Sequence, residues 1–150
     1  MTDRLSRRAL AAGTLVLPAA ACATALDISP SFDWAWQAHI AAVRARDLAA
    51  LEPTLTSGAT LILILPNGAL TTTKAAYLDF HRQWFASQTW TMEFEPQWTK
   101  QSTTMGQVLF RTHYRDPAEN AESRNHLIMT FEREASGWKL VSDQNTRIAA

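Results

Sequence analysis

Two strand-like runs late in the chain carry the side chains best suited to chemistry. One, "HLIMTF", opens on His126, whose imidazole titrates near neutrality and can give or take a proton. The other, "GWKLVSDQNT", ends in a polar cluster whose single carboxylate is Asp143. Burial among apolar side chains raises the pKa of a carboxylate, which is how it becomes a general acid or base. Beside it, Gln144 donates and accepts hydrogen bonds without titrating, which suits ligand positioning. Tyr114 can offer a phenol to a bound carbonyl, and Trp84 an apolar face next to His81 on one helical segment. His126 and Asp143 are therefore the candidate catalytic residues. Tyr114, Gln144, Trp84, His81 and Phe110 are the candidate ligand contacts. Each has a plainer alternative: a surface histidine, an aspartate bonded to backbone or to Arg147, aromatics that only pack.

Other chemistries are less well supported. Cys22, the only cysteine, lies near the N-terminus, so no disulfide forms within the chain and no thiol nucleophile is expected in the folded part. The sequence holds no G-x-S-x-G elbow, G-x-x-x-x-G-K-[ST] loop or G-x-G-x-x-G turn. None of His39, His81, His113 and His126 forms an H-x-x-x-H zinc pair, so neither a metal nor a cofactor is expected. Lys plus Arg equals Asp plus Glu at 14 each, leaving no basic field for a nucleic acid. The expected partner is a small apolar or carbonyl-containing molecule.

The elements that must position these residues fit one domain, since 150 residues with 47% apolar content supply a single core. Residues 1–25, "MTDRLSRRALAAGTLVLPAAACATA", read as an export signal: a basic start, an apolar middle too short to span a bilayer, and a small-residue end. Ser6-Arg7-Arg8-Ala9-Leu10 resembles a twin-arginine signal, which implies a periplasmic or extracellular protein. Two processing routes stay open, cleavage after Ala25 and lipidation of Cys22, and the second is the only membrane attachment expected. Residues 26–150 form the domain. Trp36, Ile40, Val43 and Leu48 recur at helical spacing between Phe32 and Leu51, with Ser31 or Asp33 as cap. "ATLILILPNGAL" reads as a strand and tight turn, with Leu70–Thr72 returning. Thr73 then caps a helix bearing Tyr77, Phe80, His81 and Trp84. From Thr89 onward four strands follow, with turns at 103–106, 116–123 and 135–137.

Alternation assigns faces. Val108, Phe110, Thr112 and Tyr114 share one side of their strand and suit a cavity wall. On the next strand His126, Ile128 and Thr130 form the polar-containing set and are expected to face the pocket. Leu127, Met129 and Phe131 then face out, where, with Leu109 beside Arg111 and His113, they would form a dimer patch. On the last strand Trp138, Leu140, Ser142 and Gln144 alternate with Lys139, Val141, Asp143 and Asn145, and either set can be inside.

The Trp36-centred first helix ending in "RDLAAL", the apolar strand closing in "PNG", the long C-terminal strands and "GWKLVSDQNT" together resemble the NTF2-like superfamily, in particular its SnoaL-like and DUF4440 group. The resemblance spans residues 32–148. It implies an α+β cone in which N-terminal helices pack on the concave face of a curved antiparallel sheet. It also implies that the last strands line a pocket, and that His126 occupies a position where many relatives carry an arginine or other polar side chain looking into the cone. The expected function is binding of a small, largely apolar molecule, with cofactor-free proton transfer of the isomerase, cyclase or lyase kind as the catalytic reading. The alternative is a noncatalytic homodimeric interaction module.

Overall fold

The computed structural model describes residues 30–149. The expected signal at residues 1–25, with Cys22, lies outside the described residues. Helix α1 (Phe32–Ala45) begins where the Ser31 hydroxyl accepts the Trp34 N–H at 3.2 Å, so Ser31 is the cap. Asp33 instead accepts the Trp36 indole N–H at 3.1 Å. The helix stops at Arg46, which takes the left-handed conformation (φ 54°) while its N–H closes back on Ala42 and Val43. A short α2 (Leu48–Leu51), capped by Asp47, then runs into a 3-10 turn around Pro53.

Strands β1 (Thr60–Ile64) and β2 (Leu70–Thr73) make the expected hairpin, with Gly68 at φ 84° in the turn. Thr73 ends β2 and caps α3 (Lys74–Ala86) by accepting the Ala76 N–H at 3.2 Å. Strands β3 (Thr91–Gln101), β4 (Met105–Asp116), β5 (Ala121–Glu134) and β6 (Gly137–Arg147) follow as a meander. The six strands form one curved sheet in the order β2-β1-β6-β5-β4-β3. Every pair is antiparallel except β1 with β6, so the expected antiparallel sheet has one parallel seam.

The helices lie on one side of this sheet, and the core fills the space between them. Phe32, Ile40 and Val43 of α1 and Tyr77 and Phe85 of α3 pack with Val108, Phe110, Leu127, Met129, Phe131 and Leu140. Each such large side chain contributes roughly 1.5–3 kcal/mol by leaving water. Phe32 meets Phe131 and Trp138 edge-on, at ring separations of 5.8 and 5.4 Å. It can do so because Gly106 has no side chain: a Cβ there would stand 2.5 Å from the Phe32 ring.

Directly paired residues share a face of a sheet. Val108 lies opposite Met129, Phe110 opposite Leu127, and Thr112 opposite Asn125. The expected inner set of β4 is therefore inside, but it carries Leu127, Met129 and Phe131 inside with it. All three are buried, whereas His126 and Ile128 are exposed, so the expected facing of β5 is reversed. Burial of three large apolar side chains outweighs that of a histidine and a threonine.

On β6 the two sets mix. Leu140 is paired with Phe131 and Ser142 with Thr130, leaving Val141 as an extra, unpaired residue. This bulge changes which alternate residues face inward. Trp138 and Leu140 are buried ahead of it and Asp143 after it, while Gln144 is exposed.

Candidate functional site

A pocket of about 370 Å³ lies between α3 and the inner face of the sheet, within the size range of small-molecule sites. Its walls are Val43 of α1, Leu63 and Leu65 at the end of β1, Phe80, His81 and Trp84 of α3, and Met92 and Phe94 of β3. Leu127 and Met129 add to this apolar lining. Most of its polar groups come from the sheet, namely Tyr114, Glu122, Ser123, Asn125, Asp143, Asn145 and Arg147, with Asn67 added by the β1–β2 turn and His81 by α3.

Asp143 is the most perturbed of these. Burial pushes its carboxyl up to about 7, although hydrogen bonds from Tyr77 and Asn145 favour the charged form. The Asn145 amide donates to Oδ1 at 2.9 Å and the Tyr77 hydroxyl to Oδ2 at 3.4 Å. Near neutral pH such a carboxyl is poised to accept or release a proton.

Behind Asp143 runs a buried chain of polar groups. The Tyr77 oxygen lies 3.2 Å from His39 Nε2, His39 Nδ1 lies 2.7 Å from Thr54 Oγ1, and Thr54 donates to the Leu51 carbonyl at 2.6 Å. Burial, with the nearby His81 adding to it, pushes the His39 imidazole down to about 3, so it is neutral. Burial likewise raises the Tyr77 phenol. Tyr77 has one proton and two acceptors, His39 Nε2 and Asp143 Oδ2. With Asp143 protonated, donors run in one direction: Asp143 to Tyr77, Tyr77 to His39, His39 to Thr54. With Asp143 ionised, Tyr77 turns its proton to the carboxylate. His39 then keeps its bond to the Tyr77 oxygen only as the Nε2–H tautomer, with Thr54 turning its proton from the Leu51 carbonyl to Nδ1.

His81 forms the opposite wall and is 3% exposed. Its Nδ1 lies 2.9 Å from the Tyr77 carbonyl one turn earlier. A carbonyl only accepts, so Nδ1 carries the proton and Nε2 the lone pair. Burial pushes this imidazole down to about 4 against the pull of that carbonyl, and the ring is neutral. Trp84 stacks on Trp90 at 4.2 Å, and the Trp90 carbonyl and ring hold the Arg46 guanidinium, whose centre lies 4.0 Å from the ring centroid. Tyr114 is a half-buried phenol beside Trp84 and Trp90, raised chiefly by burial.

The model of the SnoaL-like domain matches residues 34–145, which include every residue that lines this pocket except Arg147. The chain belongs to the SnoaL-like domain family. Solved structures agree on the fold. A provisionally assigned calcium/calmodulin-dependent protein kinase type II association domain from Thiobacillus denitrificans superposes with a TM-score of 0.70 at 19% identity, covering 81% of this chain and 98% of that one. A provisionally assigned dehydratase of the NTF2-like family from Streptomyces avermitilis gives 0.66 at 16%, covering 77% and 92%. A provisionally assigned ketosteroid isomerase from Shewanella frigidimarina gives 0.62 at 14%, covering 75% and 91%. At such identities the likeness is one of fold alone. No curated protein matches the chain in sequence.

In this SnoaL-like domain the structure brings Asp143, His81, Trp84 and Tyr114 to one pocket. Phe110 lies beneath it as core, edge-on to Trp36 at 5.6 Å and Phe94 at 6.0 Å, and does not reach the lining. Two candidates are outside. His126 is exposed on the far face, paired between Arg111 and Thr146, because the burial of Leu127 sets the parity of β5. Gln144 is exposed because the Val141 bulge turns Asp143 inward in its place. Sequence reasoning gave no role to His39 or Asn125. For His39 the signal was there: it falls one turn before Val43 on the apolar stripe of α1. Among the described residues, no three His, Cys, Asp or Glu side chains gather as a metal site.

Proposed function

We propose that this SnoaL-like domain is exported, binds a small, largely apolar molecule in the pocket and moves a proton on it without a cofactor, with Asp143 as the base. The observation that carries this reading is a buried carboxyl, raised to about 7, on the wall of an otherwise apolar pocket. The carboxylate takes a proton from a C–H bond next to an electron-withdrawing group, and the resulting acid returns it at another position or to a departing group. That is the chemistry of an isomerase, cyclase or lyase, and the names given to two fold neighbours, dehydratase and ketosteroid isomerase, fall within it. Export rests on the pattern of residues 1–25 and is tested by N-terminal sequencing of the protein recovered from the producing cells.

The catalytic test is deuterium wash-in. Apolar ring ketones that also carry a hydroxyl, incubated with the protein in heavy water, should gain deuterium next to the carbonyl. Asp143→Asn should lower that rate about 10²–10⁴-fold. Equal rates for wild type and Asp143→Asn would remove Asp143 from the reaction.

A second reading has its own observation. Trp98, Leu109 and Ile128 lie in one paired row across the outer face, and Trp98 and Ile128 are 48% and 38% exposed. This row takes the place of the expected Leu127, Met129 and Phe131 patch, which is core. Exposed apolar side chains in a continuous row suit a twofold interface between two sheets. Light scattering should then report a dimer, and Ile128→Lys a monomer. A monomeric wild type at micromolar concentration removes this reading.

A further inference from the structure

Resting on the pocket as a binding site, we propose that its ligand carries an O–H or N–H donor that bonds His81 Nε2, making the ligand an apolar alcohol, phenol or amine and not a bare carbonyl compound. The tautomer decides this. His81 Nδ1 gives its proton to the Tyr77 carbonyl at 2.9 Å, which leaves Nε2 as a lone pair. No described side chain or backbone group bonds Nε2. The ring is held edge-on by Phe80, Trp84 and Phe85, at separations of 5.2, 5.7 and 5.4 Å, with Tyr77 4.1 Å away, so its orientation is fixed by packing. With Nδ1 turned back to its own helix, Nε2 is on the ring's far edge, and His81 lines the pocket. A ligand carbonyl placed there would set one lone pair against another, while a hydroxyl would complete the bond.

Asn125, a lining residue, holds a second unpartnered acceptor, which is closed to solvent. Its Nδ2 donates to Ser123 Oγ at 3.3 Å, and its Oδ1 has no partner. Reversing the amide would leave a buried NH₂ without an acceptor, which is the costlier choice.

Phenol and anisole, whose oxygen carries a proton in one and a methyl in the other, separate the possibilities. Phenol should bind the full-length protein about tenfold more tightly than anisole, and the His81 Nε2 nitrogen-15 resonance should move toward the hydrogen-bonded position only with phenol. His81→Phe keeps an aromatic ring in place and should bring the two affinities together. The resonance needs no variant, so it decides the matter even if His81→Phe folds poorly. Equal binding of both probes with Nε2 unmoved would overturn this inference while leaving the pocket as a binding site. Binding of neither would overturn the pocket reading and this inference with it.

Discussion

Asp143 owes its character to two neighbours as much as to burial. Tyr77 and Asn145 both donate to it, and each donation favours the charged form. Tyr77→Phe should therefore move the Asp143 carboxyl above about 7, as followed by carbon-13 NMR of that carboxyl. The loss also leaves the buried His39 Nε2 without the phenolic oxygen it bonds in the wild type. An unchanged titration would mean that the 3.4 Å contact contributes nothing to the charge of Asp143.

Arg46 ties two elements together. It ends α1 in a left-handed conformation, and its side chain donates to the carbonyls of Ser87 and Trp90 between α3 and β3. Arg46→Ala loses both bonds and the cation–π contact and keeps the backbone strain. Arg46→Gly loses the same contacts and relieves the strain, so it should be less destabilised by about 1 kcal/mol in urea unfolding. Gly106→Ala should cost about 1–3 kcal/mol, because the added methyl meets the face of Phe32. The elements themselves were legible in the sequence. Capping by Ser31 and Thr73, the PNG turn and the aromatic strand runs are local signals and fell where expected, whereas the helical run expected from Phe32 to Leu51 breaks at Arg46 into α1 and α2. Facing was harder to read. On β5 the apolar trio Leu127, Met129 and Phe131 outweighed the polar set, and that competition was visible in composition. On β6 no local signal marks Val141 as a bulge, so the choice between Asp143 and Gln144 depended on pairing with Thr130 and Phe131, which only the assembled sheet supplies.

For the molecule as a whole, three buried groups set how stability responds to pH. Asp143 has an ordinary value of 3.8 and reaches about 7 when folded, so the folded state holds a proton that the unfolded chain releases. Its contribution therefore falls as pH climbs from about 4 to about 7. His39 and His81 act in the opposite sense: from 6.5 they drop to about 3 and about 4, so stability rises with pH until the unfolded histidines lose their protons near 6.5. Two histidines outweigh one carboxyl over most of this range. Chemical unfolding should show greatest stability close to pH 6.5 and a shallow decline toward 7. Asp143→Asn should remove that decline, so that its stability relative to wild type improves as pH rises from 6.5 to 8. A wild-type optimum below pH 5 would show that the histidines are not held neutral. The Val141 bulge, finally, acts as a parity counter for everything that follows it. Were Val141 drawn into regular pairing with Thr130, the sheet and the fold would remain, yet Ser142, Gln144 and Thr146 would replace Asp143, Asn145 and Arg147 opposite Met129, Leu127 and Asn125. A one-residue change of pairing can thus erase or create an ionisable group on the wall without one amino acid being substituted.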